Sequence, residues 1–228
     1  MAQGIEMEDL FQSMDAATGT CLVPGLTYYP RYLDDSAQAT LAAEVAKSVA
    51  QAPWYLPRMP RSGRAFSVRM TNCGALGWVS DREGGYRYQR VHPETGGAWP
   101  PIPASALNIW RALADYPHPP QAGLINFYDG RAKMGLHQDR DEKELAAPVV
   151  SISLGDSCVF RYGGLQRGDP AKNLELHSGD VIVFGGAARL MFHGVTKILG
   201  GSSRLLPGGG RINLTMRRVT RPECDANP

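Results

Sequence analysis

His137 and Asp139 stand two apart in LHQDRD, so in extended chain both side chains point to one face and can chelate a single ion. A further histidine, His193 in MFHGV, follows 56 residues after His137, enough chain for several strands to bring it back to the same place. Two histidines and one carboxylate on one side of a metal leave three positions open, the arrangement of non-haem Fe(II) oxygenases. An HxD pair arises often by chance, and taken alone the reading without a metal is the commoner one. His92, His118 and His177 have no such companion and read as capping, turn or local hydrogen-bonding residues.

The segment RINLTMR adds a second chemical signal. Arg211, Asn213, Thr215 and Arg217 alternate with Ile212, Leu214 and Met216, which gives one strand a polar face opposite an apolar one. A solvated outer face of an edge strand would look the same. Arginine at both ends also suits a dicarboxylate ligand, because the guanidinium fork binds carboxylate through two parallel hydrogen bonds. Asn126 and Tyr128, two apart in LINFY, can complete such a pocket with neutral hydrogen bonds.

These residues need a scaffold, and the pattern around them describes one. Asp35 or Ser36 can cap a first helix with Leu41, Val45 and Val49 on one face, ended by Pro53. A second helix fits between Pro103 and Pro117, with Leu107, Trp110 and Leu113 spaced by three. From Gly123 onward, short runs rich in β-branched and aromatic residues are separated by Gly, Asp and Pro: LINFY, VVSISLG, CVFRYGG, LELH, DVIVFGG, LMFHGV and RINLTMRRV. Close-set strands without intervening helices predict an antiparallel sandwich or barrel, with a jelly roll as the natural candidate. The expected class is α+β, mainly β, in a single domain over residues 1–228, a length that suits one core.

Composition excludes several other classes. The N-terminal MAQGIEMEDLFQSM carries acids and no long apolar run, so neither a secretory signal nor a membrane-spanning helix is expected, and the expected compartment is the cytoplasm. Cys21, Cys73, Cys158 and Cys224 are far apart with no CxxC pair, which argues against a zinc ribbon or a disulfide framework. Net charge is only +2, yet Trp54 to His92 holds seven arginines (Arg58, Arg61, Arg64, Arg69, Arg82, Arg87, Arg90) against Asp81 and Glu83. That stretch also carries Trp54, Tyr55, Phe66, Trp78, Tyr86 and Tyr88, a mixture suited to phosphate neutralisation and base stacking, although a merely soluble surface also accommodates arginines. No serine nucleophile elbow, HExxH or paired-carboxylate signature of a hydrolase occurs.

The segments NFYDGRAKMGLHQDRDE, APVVSISLGDSCVFRYGGL, HSGDVIVFGGAARLMFHGV and RINLTMR, with MTNCGALGW and WPPIP upstream, together resemble the AlkB family of dioxygenases from about Met70 to Arg217. The resemblance implies a double-stranded β-helix core over residues 120–219, supporting helices, and a nucleotide-recognition lid over residues 54–105. It implies Fe(II) held by His137, Asp139 and His193, with 2-oxoglutarate and O2 as co-substrates. Arg211, assisted by Asn213 and Tyr128, would take the distal carboxylate, and Arg217 and Asn126 would lie near the metal-bound end. The implied reaction is oxidative dealkylation of N1-methyladenine or N3-methylcytosine, with 2-oxoglutarate converted to succinate and carbon dioxide and the alkyl carbon released as formaldehyde.

The partner implied by the resemblance is alkylated nucleic acid, DNA in preference to RNA; a monomer is the default for an enzyme that must embrace DNA, and no membrane partner is expected. A target atom inside a duplex requires that the nucleotide be flipped out and held between aromatic or apolar side chains. By resemblance Trp78 stacks on the base opposite His137, Tyr86 contacts the nucleic-acid backbone, Asp141 lies near the exocyclic amine, and Arg167 lies near the substrate. From the residues alone, a core position is the commoner fate of a residue like Trp78, Asp141 also fits the less common reading of a surface acid in RDEKE, and Arg167 could be an ordinary loop arginine. The same oxygenase core could serve RNA or a protein side chain. A cupin-like metal-binding module without turnover is the alternative from another class, and RINLTMR speaks against it.

Overall fold

The computed structural model describes residues 18–222; the acidic N-terminal stretch and Cys224 lie outside them. Two sheets face one another. The larger has seven strands in the order β1 (Thr20–Val23), β2 (Leu26–Tyr29), β11 (Val181–Phe184), β8 (Val149–Gly155), β13 (Arg211–Arg217), β6 (Ala122–Tyr128) and β3 (Arg69–Gly74). The smaller has four, β10 (Lys172–Leu176), β9 (Ser157–Tyr162), β12 (His193–Leu199) and β7 (Met134–His137). A separate hairpin, β4 (Gly77–Asp81) and β5 (Gly85–Gln89), stands beside them. Every strand pair is antiparallel. The expected jelly roll is therefore present, with β1 to β5 and β7 added to the strands legible in the sequence.

The core has two layers, and β13 divides them. On one face of the large sheet Ile125, Ile152, Leu154, Leu214 and Met216 pack against the helices α1 (Asp35–Gln51) and α2 (Ala104–Leu113), which contribute Leu41, Val45, Ile109 and Trp110. On the other face Leu124, Tyr128, Val149 and Phe184 meet Phe160, Tyr162, Val195 and Ile198 of the small sheet. β13 lies between β8 and β6 with all seven residues buried. Its polar face thus looks into the space between the sheets and is not a solvated edge.

Both helices occur, with shifted ends. Asp34 caps α1, its carboxylate oxygen accepting from the Ala37 N–H at 2.8 Å, one residue before the expected cap. α2 stops at Leu113, short of Pro117; Asp115, just beyond, has φ of 45°, a left-handed conformation that ends a helix. Among the described residues no helix is long and apolar enough to cross a membrane.

Candidate active site

Strand register brings the three metal-ligand types together. His193 on β12 is the direct register partner of His137 on β7. Gly194 makes the approach possible, because a Cβ there would sit 2.5 Å from the carbonyl oxygen of Met134. The two imidazole centroids are 4.5 Å apart, and Asp139 lies 3.8 Å from the Nε2 of each. Among the described residues His137, Asp139 and His193 are the one group of three metal-ligand side chains that converges. The Nδ1 of His137 faces the Gly135 carbonyl at 3.0 Å and that of His193 faces the Met191 carbonyl at 3.0 Å. A carbonyl only accepts, so Nδ1 carries the proton and Nε2 presents its lone pair, the orientation that a metal site requires.

Strand alternation does not by itself deliver Asp139. β7 ends at His137, so the carboxylate is two residues past the strand. It is held there by Arg217, whose Nη2 donates to Oδ2 at 2.8 Å, and by Arg189, whose Nη1 donates to the Asp139 carbonyl at 2.6 Å. Burial pushes the Asp139 carboxyl up, but Arg217 and the two histidines outweigh it and hold the carboxyl below the usual range. For His193, burial and then the neighbouring His137 push the imidazole down to about 4, so it is neutral and ready to ligate at neutral pH.

The polar face of β13 supplies the other half of the cavity. Arg211 pairs in register with Tyr128 and Asn213 with Asn126, so the residues expected together share one face. Arg211 is 1% exposed; its Nη2 donates to Ser153 Oγ at 2.9 Å, while Nε and Nη1 have no hydrogen-bond partner. Its guanidinium lies 5.4 Å from the Tyr128 ring centroid. Buried guanidinium N–H groups without acceptors are costly, and one carboxylate would satisfy this fork. Asn126 Oδ1 and the Nε and Nη1 of Arg217 also lack hydrogen-bond partners. The donor set therefore fits a dicarboxylate reaching from Arg211 toward the two histidines and Asp139. Burial pushes the Tyr128 hydroxyl up, which keeps it a neutral donor.

At the cavity mouth Trp78 of β4 stacks on Tyr86 of β5, with centroids 5.6 Å apart and planes 21° from parallel. Phe66 meets Trp78 edge-on at 6.3 Å. Trp78 Nε1 donates to Asp141 Oδ2 at 2.8 Å, so this acid is not simply a free surface group. Arg167 lies across the cavity, its guanidinium 5.1 Å from the Phe192 centroid and its Nη1 donating to the Leu136 carbonyl at 3.0 Å. All twelve residues singled out from the sequence line one cavity of about 450 Å³. His92 Nδ1 accepts locally from the Glu94 and Thr95 N–H groups while its Nε2 lies against the distant Pro53 carbonyl, and His177 bonds Ser157 across the chain and not locally.

Several participants lie outside the residues that the sequence motifs single out. Ser151 and Ser153, which bond Asn213 and Arg211, are the polar residues of VVSISLG and share the alternation that exposed β13. Glu142 and Arg189 carry no local signal, since a buried acid inside RDEKE looks like a solvated one, and Tyr88 reads only as one more aromatic of the arginine-rich stretch.

A metal triad alone would suit many enzymes. Joined to a buried guanidinium fork across the same cavity, it defines an iron oxygenase that consumes 2-oxoglutarate, and the 2OG-Fe(II) oxygenase superfamily model matches residues 25–217. The chain is 53% identical over 198 residues to an alpha-ketoglutarate-dependent dioxygenase AlkB homolog of Caulobacter vibrioides, covering 87% of this chain and 89% of that protein. It is 40% identical over 206 residues to the alpha-ketoglutarate-dependent dioxygenase AlkB of Escherichia coli, covering 89% and 94%. The solved structure of OsALKBH1 superposes with a TM-score of 0.74 at 31% identity, covering 88% of this chain and all of that one. The protein belongs to the AlkB family of 2OG-Fe(II) oxygenases. It is an Fe(II)- and 2-oxoglutarate-dependent dioxygenase, with O2 as its other co-substrate.

Proposed function

We propose that this enzyme oxidatively removes small N-alkyl groups from nucleobases, with N1-methyladenine and N3-methylcytosine in DNA as its substrates. The observation that carries the reading is that one cavity joins the His137, Asp139 and His193 cluster to an aromatic wall of Trp78, Tyr86 and Phe66. A flipped base is held by such a wall. The two bases named are cationic when methylated, and the Asp141 carboxylate beside Trp78 suits that charge. Residues 54–105 act as the recognition lid over a catalytic core of residues 120–219. Six of the seven arginines between Trp54 and His92 are exposed, available to phosphates.

Each side chain then has a task. His137, Asp139 and His193 hold the metal. Arg211 anchors the distal carboxylate of 2-oxoglutarate, with Tyr128 and Asn213 beside it, while Asn126 and Arg217 border the metal-proximal end. Trp78, Tyr86 and Arg167 place the base so that its alkyl carbon faces the metal, and Asp141 takes its exocyclic amine. Bound iron, with 2-oxoglutarate and O2, supplies the oxidation of N–CH3 to N–CH2OH as 2-oxoglutarate becomes succinate and carbon dioxide; the hydroxymethyl group leaves as formaldehyde. Between the sheets the apolar side chains of Leu124, Val149, Phe160 and Phe184 exclude water from this chemistry.

The reading includes a cytoplasmic monomer with DNA preferred to RNA. Its test is a pair of oligonucleotides of one sequence, one DNA and one RNA, each with a single N1-methyladenine, followed by mass spectrometry. Faster loss of one methylene mass from the DNA strand is expected. Faster loss from RNA would reverse the preference, and loss from neither would overturn the substrate class.

A further inference from the structure

The buried charge behind the metal site extends past Asp139 into a group that no step above requires. Glu142 is 6% exposed; its Oε2 accepts from Arg189 Nη2 at 3.0 Å, and its Oε1 lies 3.5 Å from Arg217 Nε. Arg217 grips the Asp139 carboxylate at 2.8 Å and Arg189 grips the Asp139 carbonyl at 2.6 Å. Asp139, the ligand that lies off its strand, is thus fixed by two guanidinium groups, and Glu142 is the anion between them. Buried ion pairs of this kind add little net stability compared with apolar packing, and their best-attested use is to fix one arrangement.

The network has a fifth member from outside the jelly roll. The Tyr88 hydroxyl donates to Glu142 Oε1. Tyr88 is on β5, the direct register partner of Trp78 on β4. The cross-strand pair that carries the aromatic wall therefore also touches the acid that braces the metal carboxylate. Burial pushes the Tyr88 hydroxyl well up, so it remains a donor throughout the working range.

We propose that Glu142 and Tyr88 are positioning residues that fix Asp139 through Arg217 and Arg189 and tie the metal site to the hairpin bearing Trp78, keeping 2-oxoglutarate turnover in step with occupation of the aromatic wall. The proposal rests on the assignment of His137, Asp139 and His193 as metal ligands. A network that only supported folding would change how much protein is active, and would leave unchanged the ratio of succinate formed to methyl groups removed.

Two isosteric variants test this, Glu142→Gln and Tyr88→Phe. Calorimetric titration with redox-inert Mn(II) in the presence of 2-oxoglutarate reads the metal site, and the ratio of succinate to methyl groups lost from an N1-methyladenine DNA oligonucleotide reads the coupling. Glu142→Gln is expected to weaken Mn(II) binding by about tenfold or more, the usual scale for loss of a group that supports a ligand. Tyr88→Phe is expected to raise the succinate-to-methyl ratio severalfold. Wild-type values in both variants overturn the proposal; should Glu142→Gln fail to fold, an unchanged ratio in Tyr88→Phe overturns it alone. Wild-type protein that takes up no Mn(II) would instead remove the metal assignment and the proposal together. Normal Mn(II) binding without methyl removal would count against the substrate class only, and the Glu142→Gln titration would still decide the positioning role.

Discussion

Arg217 on β13 donates to the Asp139 carboxylate at 2.8 Å, so the strand that carries Arg211, the proposed 2-oxoglutarate anchor, at one end holds the proposed metal carboxylate at the other. Breaking a buried pair by removing one partner leaves the other charge uncompensated, at about 3 to 5 kcal/mol. Arg217→Met should lower the unfolding free energy by that amount and weaken metal binding by about tenfold or more. Urea unfolding and Mn(II) titration check the two effects; a variant as stable as wild type would contradict the pairing.

His137→Ala removes one of the three proposed metal ligands, the one converging group of this kind among the described residues. Fe(II) binding and turnover should vanish together. Robust demethylation by this variant would sink the metal assignment.

Arg211→Lys keeps the charge but loses the fork. Charge-assisted hydrogen bonds contribute about 1.5 to 3 kcal/mol each, so the KM for 2-oxoglutarate should rise at least tenfold, while affinity for methylated DNA measured without turnover stays at the wild-type value. A rise in the DNA dissociation constant alone would place Arg211 on the substrate side.

Trp78→Ala should weaken binding of a methylated oligonucleotide by about 1 to 3 kcal/mol, the scale of one stacked base. Fluorescence anisotropy with methylated and unmethylated strands reads it directly. Equal affinity of wild type and variant would return Trp78 to a packing role against Tyr86.

His193 gives a pH signature. In an unfolded chain a histidine titrates at about 6.5, whereas burial holds this one at about 4. Between those values the unfolded chain binds the proton and the folded one does not, so stability of metal-free protein falls as pH drops through the window. From pH 7 to pH 5 the loss from this residue is about 2 kcal/mol. Urea unfolding in chelator should show that extra loss in wild type and its absence in His193→Gln; equal losses in both would contradict the burial argument.

Much of the site was legible because its residues alternate on strands. Period two in RINLTMR and LINFY placed Arg211, Asn213, Asn126 and Tyr128 on one face, and register across β13 and β6 delivers that face. What alternation could not settle was which side of the sheet is wet: an outer face and a polar cavity have the same period, and the packing of α1 and α2 on the apolar side decides it. The short strands β1 and β2 and the hairpin β4–β5 lack a long alternating run, so their sequences carry little strand signal. Glu142, Arg189 and Tyr88 meet only through tertiary packing, so no local spacing announces them.

The most direct test of the account is a reaction of the purified protein with Fe(II), ascorbate and a DNA oligonucleotide bearing one N1-methyladenine, with and without 2-oxoglutarate, in which methyl loss, succinate and formaldehyde are all measured. The account predicts that the three appear in equal amounts and only when 2-oxoglutarate is present. Methyl loss without 2-oxoglutarate, or succinate formed without any methyl loss, would contradict it.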